Sequence, residues 1–215
     1  MKTRITALLL TFLGLATAIY GQGIVQITFD GPPVQPPNSS TIVTNYYESG
    51  MLFRPLPSSQ GFGRMGANPR SSSPDDGSAY LQTLLVPAET LQFSFTNGSV
   101  FGLLSVDLAE YSTVRPNAVT VQFVGYHPDG STVTTSFTTD GIIDGTGPLA
   151  DFQTFSFNGL IFTDLTRVEI PTSGWSLDNL VVFVPEPSGG ALLALGGLLL
   201  GEWHCRRRHR QQRKP

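Results

Sequence analysis

Along residues 24–183, apolar and polar positions alternate with a period of two, in runs broken by glycine, proline, asparagine and aspartate. A period of two sends successive side chains to opposite faces of an extended chain, so these runs predict strands with one buried and one wet face. In "VTVQFVGYHPDGSTVTTSF" the series Val119, Val121, Phe123 stops at His127-Pro128-Asp129-Gly130 and resumes at Val133, Thr135 and Phe137. That is a hairpin with its turn residues in place. In "LLSVDLAEY" Leu104, Val106 and Leu108 share one face, and Ser105 and Asp107 the other. Eleven strands are predicted in all, at 24–29, 42–47, 51–56, 80–86, 91–96, 103–110, 118–126, 131–138, 152–157, 166–170 and 175–183.

Short strands at regular spacing, with no amphipathic run long enough for a helix among them, predict an all-β fold. The expected architecture is an antiparallel two-sheet β-sandwich of jelly-roll type, filling one domain over 19–184. The stretch 57–79 breaks the pattern, being rich in Ser, Gly, Pro and Asn, with Pro69, Pro74 and the Asp75-Asp76-Gly77 turn. It is expected to be a long loop, either solvated or used for binding. A second loop is expected over 139–148.

The two ends follow other rules. Residues 1–18, "MKTRITALLLTFLGLATA", set Lys2 and Arg4 before an apolar core and close on Ala16 and Ala18, the layout of a signal peptide cleaved after Ala18. At the other end, a short transmembrane helix is expected over 189–203. Its uncharged part, 189–201, would span roughly 20 Å of a hydrocarbon core about 30 Å thick. Arg206, Arg207, Arg208 and Arg210 follow and would hold the tail on the cytoplasmic side. The expected fold is thus flanked by an N-terminal signal helix and a C-terminal membrane helix.

Pro185-Glu186-Pro187, the Gly/Leu/Ala-rich helix and the arginine cluster, in that order over 185–215, resemble the PEP-CTERM sorting signal of Gram-negative bacteria that make extracellular polysaccharide. The resemblance implies that an exosortase recognises Pro185, Glu186 and Pro187, removes the tail and passes the domain outward. Independently of it, Pro187 biases Glu186 away from helix, which keeps the tripeptide extended. The same residues also fit an ordinary C-terminal anchor with a proline-rich turn. The stretches "ITFDG", "YYESGMLF", "DLAEY", "VTVQFVGYHPDGSTV" and "GWSLDNLVVF" resemble jelly-roll, galactose-binding-like domains. That resemblance implies a structural calcium where the first and last strands meet, at Asp30 and Asp178. Alternatively, Asp178 simply bonds backbone groups at a buried edge.

Charge narrows the function. Residues 22–184 hold five arginines and no lysine against fourteen carboxylates, a balance of −9 hidden by the chain's net −3. Nucleic acid needs clustered cations to displace its counterions, so it is excluded as a partner of the domain. Cys205, the single cysteine, lies in the tail, which leaves the domain without disulfides or thiolate metal sites. No catalytic residues are expected. His127, the domain's single histidine, sits in a turn, and no nucleophile elbow, zinc motif or phosphate loop is present. Asp140, Asp144 and Asp151 surround glycines without the alternation of a calcium loop. Glu48, Glu89, Asp107, Glu110 and Glu169 are available as paired carboxylates for glycoside hydrolysis, but a wet strand face explains each equally well. For glycan stacking the candidates are Tyr46, Tyr47, Tyr111, Tyr126 and Trp175, with Tyr126 and Trp175 foremost.

The expected function is that of a non-enzymatic, exported protein of the cell surface or matrix, reached through the secretion machinery and an exosortase, with a membrane-anchored precursor and exopolysaccharide as associate. A secreted carbohydrate-binding module is the alternative, and a glycan hydrolase the third reading.

Overall fold

In the computed structural model, residues 22–35, 38–57, 61–66, 73–83, 90–112, 117–143 and 151–185 are described, and the alternating runs among them form thirteen strands. These are β1 (Gln22–Ile27), β2 (Ser40–Val43), β3 (Tyr46–Glu48), β4 (Met51–Leu56), β5 (Phe62–Met65), β6 (Tyr80–Gln82), β7 (Thr90–Phe95), β8 (Gly102–Glu110), β9 (Thr120–Tyr126), β10 (Thr132–Thr138), β11 (Gln153–Ser156), β12 (Arg167–Ile170) and β13 (Trp175–Pro185). Sheet I runs β11-β8-β13-β6-β5-β2, with β1 also on β13, and sheet II runs β10-β9-β12-β7-β4-β3. All registers described are antiparallel, so the all-β two-sheet sandwich expected from alternation is what forms.

The inward positions of both sheets meet in one apolar core. Sheet II contributes Phe53, Phe93, Phe123, Val121, Val168 and Ile170, and sheet I contributes Leu103, Val106, Leu108, Trp175, Leu177, Leu180 and Val182. Phe29, Phe53, Phe93 and Phe101 form a chain of ring contacts with centroids 5.1–6.2 Å apart, the offset and tilted geometries that aromatic quadrupoles favour. Gly102 has no side chain because the Phe183 ring occupies that space and the Phe162 carbonyl oxygen would stand 2.8 Å from a Cβ there.

Two expectations are corrected. The run 42–47 is not one strand: β2 belongs to sheet I and β3 to sheet II, with Thr44 and Asn45 carrying the chain between layers. The stretch 57–79 is not wholly loop, because β5 lies within it, paired with β2 and β6 and buried along its whole length. Arg64 of β5 is buried because its Nε–H donates to the Phe29 carbonyl (2.6 Å) and its Nη1 to that of Pro32 (2.5 Å).

The two sheets differ on their outer faces. On sheet I, Ser176 and Asp178 face away from the core yet are fully buried: Ser176 Oγ donates to the Glu110 carbonyl and accepts from Gln82, and Ser78 of the segment 73–79 lies against Asp178. On sheet II the outward positions carry the partly exposed and exposed side chains Tyr126, Arg167, Arg54 and Tyr47. Ile24–Val184 form one compact unit, and the other unit, Met1–Gly23 with Pro185–Pro215, lies almost entirely outside the described residues. The signal peptide with Ala16 and Ala18, residues Glu186 and Pro187 of the sorting motif, the 189–203 helix and Arg206, Arg207, Arg208 and Arg210 all fall there. Among the described residues no helix is long and apolar enough to cross a membrane.

Candidate functional site

Alternation fixes which side chains of sheet II point outward, and register fixes which of them meet. Tyr126 pairs with Arg167, Val124 with Glu169, Glu169 with Gln92, and Gln92 with Arg54. The result is a polar ladder across β9, β12, β7 and β4. Tyr126 Oη–H donates to Glu169 Oε2 (2.8 Å), while Arg167 Nε–H and Gln92 Nε2–H both donate to Glu169 Oε1 (3.1 Å each). Arg54 then donates from Nε (2.8 Å) and Nη2 (2.6 Å) to Gln92 Oε1. One step along the strands, Ser94 pairs with Leu52 and Leu52 with Tyr47, whose ring is 62% exposed. At about 4.8 Å between strands, the face from Tyr126 to Tyr47 measures roughly 19 Å.

The ladder holds its groups in fixed charge states. Burial pushes the Glu169 carboxyl up, but hydrogen bonds from Tyr126, Arg167 and Gln92 outweigh it and keep the group below the usual glutamate range, hence ionised. The hydrogen bond to Glu169 raises the Tyr126 phenol, which stays neutral. The Arg167 guanidinium lies 3.6 Å from the centre of the Tyr126 ring, a cation–π contact that also fixes its plane.

Each sequence candidate now has a place. Tyr126 belongs to the ladder, but Arg167 covers one ring face, so the surface offered to a ligand is the guanidinium rather than that face of the phenol. Trp175 is a correction: it is fully buried, its Nε1–H donates to the Thr172 carbonyl (2.7 Å), and it belongs to the core with no face for a ligand. Tyr46 is also core, and its Oη–H donates to Glu48 Oε2 (2.7 Å). Glu48 is saturated as well by the Thr28 and Phe29 amides (2.9 Å each), which holds Phe29 at φ 57°. Glu110 is buried and accepts from the Gly141 amide, Asp107 accepts from Thr154, and Tyr111 gives its backbone carbonyl to Gln82. Glu89 and Asp144 lie outside the described residues. His127 shapes the β9–β10 turn through its backbone.

Asp30 and Asp178 border the same short segment. The Ala79 amide donates to Asp30 Oδ1 (3.1 Å) and Ser78 Oγ lies 2.7 Å from Asp178 Oδ2. Ser78 Oγ is also 2.8 Å from Asp76 Oδ1, and the Asp76 and Asp178 carboxyls are within hydrogen-bonding reach of each other. Burial first, and the Asp76 carboxyl second, push Asp178 up to about 10, so it is protonated at neutral pH. Among the described residues no three His, Cys, Asp or Glu side chains are grouped as a metal's ligands, and both Asp30 and Asp178 already serve protein donors.

Arg54, Gln92 and Arg167 were not singled out by sequence. The available signal was their outward phase in the runs 51–56, 91–96 and 166–170, together with the scarcity of arginine in an acidic domain.

No protein-family model matches the chain, and no curated protein matches it either. Among solved structures it is similar to family 29 carbohydrate-binding modules. One mutant gives TM-score 0.35 at 10% identity over 75% of this chain and 85% of that one. A mutant complexed with mannohexaose gives TM-score 0.35 at 10% identity over 75% and 92%. Another, complexed with cellulohexaose, gives TM-score 0.34 at 11% identity over 77% and 92%. A likeness this distant carries nothing about what this chain binds.

Proposed function

We propose that the domain is a non-catalytic glycan-binding module that lays a polysaccharide chain across the outer face of sheet II. The observation that carries this is the preordered ladder Tyr126–Arg167–Glu169–Gln92–Arg54, on the same face as the exposed Tyr47. Polyols are held by planar polar groups whose rotamers are already fixed, because little side-chain entropy is then lost on binding. Hydrolysis of a glycosidic bond needs two carboxyl groups flanking it. The ladder holds a single carboxylate, Glu169, which already accepts from three neighbouring side chains. With the full-length protein in mild detergent, affinity electrophoresis against glucomannan, cellulose oligosaccharides and alginate should give at least one retarded band. Arg54→Ala and Arg167→Ala should each weaken that retention about tenfold, a loss on the order of 1.4 kcal/mol. Retention untouched by both changes would move the site off this face.

The address of the module is proposed from the ends of the chain. The 1–18 leader would export it, and an exosortase would act at Pro185, Glu186 and Pro187 and leave the domain beside exopolysaccharide at the surface. The support is the fixed order of tripeptide, apolar run and arginine cluster. Replacing Pro185, Glu186 and Pro187 by alanine should leave a heavier, membrane-retained form in the native host. An intact mass identical to wild type would remove the processing step.

A further inference from the structure

Taking the glycan-binding reading of sheet II as given, the hydrogen-bonding inventory of the ladder narrows the ligand class. Glu169 Oε1 already accepts from Arg167 and Gln92, Glu169 Oε2 accepts from Tyr126, and Gln92 Oε1 accepts twice from Arg54. Three of the roughly four acceptor sites of Glu169 and both lone pairs of Gln92 Oε1 are therefore taken by the ladder's own donors. A guanidinium carries five N–H groups. Arg54 uses two of them and Arg167 one, so three and four remain. Arg54 is exposed and the Arg167 side chain is 41% exposed, against 19% for Glu169. What the face presents outward is mainly N–H, with two positive charges against one that is partly covered.

Neutral sugars bring hydroxyl donors as well as acceptors, and the donors would find few partners here. A carboxylate is acceptor-only and matches a guanidinium fork. We propose that the ligand is an acidic polysaccharide, one whose sugar units carry carboxylates as uronic acids do, read by Arg54 and Arg167. The two arginines stand on β4 and β12 with β7 between, two strand spacings or about 10 Å across the sheet, which gives each its own carboxylate. The domain's balance of −9 does not oppose this, because salt screens it beyond about 10 Å while the arginines act at contact. Nucleic acid needs a run of clustered cations to displace its counterions, and two arginines do not supply one.

The test compares polygalacturonate, its methyl ester and neutral galactomannan on the full-length protein at low and high salt. The polygalacturonate should bind about tenfold more tightly than its ester and weaken as salt rises, and Arg54→Gln and Arg167→Gln should each reduce that preference severalfold. Thermal melts matching wild type would show that both variants fold. Equal binding of acid, ester and neutral chain, lost in both variants, would overturn the acidic ligand while leaving glycan binding on this face intact. Acid-selective binding that survives both substitutions would overturn the assignment to these arginines. Binding of none of the three would overturn the acidic ligand, and would sink the glycan reading itself if glucomannan, cellulose oligosaccharides and alginate fail as well; retention of DNA as strong as that of polygalacturonate would turn the ladder into a general anion site.

Discussion

Trp175→Ala should cost about 3–5 kcal/mol of stability, the range for emptying the space of a large buried aromatic. In a domain of this size that lowers Tm by roughly 6–20 °C. The cost has two sources. Trp175 leads the fully buried side chains by volume, so truncation leaves a cavity that the core residues beside it, such as Leu177 and its cross-strand partner Leu108, cannot fill without leaving their rotamers. It also orphans the Thr172 carbonyl that accepts from the indole at 2.7 Å. Trp175→Phe should lose less, since the ring volume is mostly kept and only the N–H is missing. Calorimetric melts of the three proteins measure this directly. A tryptophan used as a sugar platform would behave oppositely, with an unmoved melt and abolished binding, and that pair of results would return Trp175 to the surface.

The case of Trp175 shows where sequence pattern stops. Alternation says that a residue faces inward or outward, and it did so well for β9 and β10, whose turn closes through the His127 and Ser131 backbones. It does not say what lies over a face. Trp175 and Leu177 point into the core, but β13 then bulges between Asp178 and Val181, with Asn179 at φ 47°, and the inward series restarts at Leu180 and Val182. A strict period of two would have put Val181 and Phe183 inside. β5 was missed for the converse reason: Phe62, Gly63, Arg64 and Met65 are all buried, so no alternation marks them. The ladder was only half legible. Outward phase could be read, yet the contacts join residues 38, 43 and 77 positions apart, through strand neighbours that no local pattern reveals.

The second large effect is on pH dependence, and it comes from the covered face of sheet I. Ser78 Oγ touches a carboxylate oxygen of both Asp76 and Asp178, but a hydroxyl has one proton to donate. Asp76 Oδ2 is buried with no donor. The pair therefore lacks one hydrogen, and a proton on Asp178 supplies it. The surrounding groups, Asp75, Asp30, Asp151 and Tyr80, add no positive charge. Because the folded Asp178 titrates near 10 rather than at its ordinary 3.8, the native state keeps a proton that the unfolded chain releases. The stability tied to that proton is complete below about pH 4 and is lost as pH climbs toward 10, at about 1.4 kcal/mol per pH unit. From about pH 5 to about pH 8 the wild type should lose up to about 4 kcal/mol from this group. Asp178→Asn replaces the acid O–H by an amide N–H that needs no proton uptake, so its melt should be flatter with pH and higher at the alkaline end. Parallel melting curves for the two proteins would remove the shared proton. A rise in the wild-type Tm on adding calcium at about pH 8, reversed by chelator and absent in Asp178→Asn, would instead assign the missing positive charge to the metal that Asp30 and Asp178 suggested in the sequence.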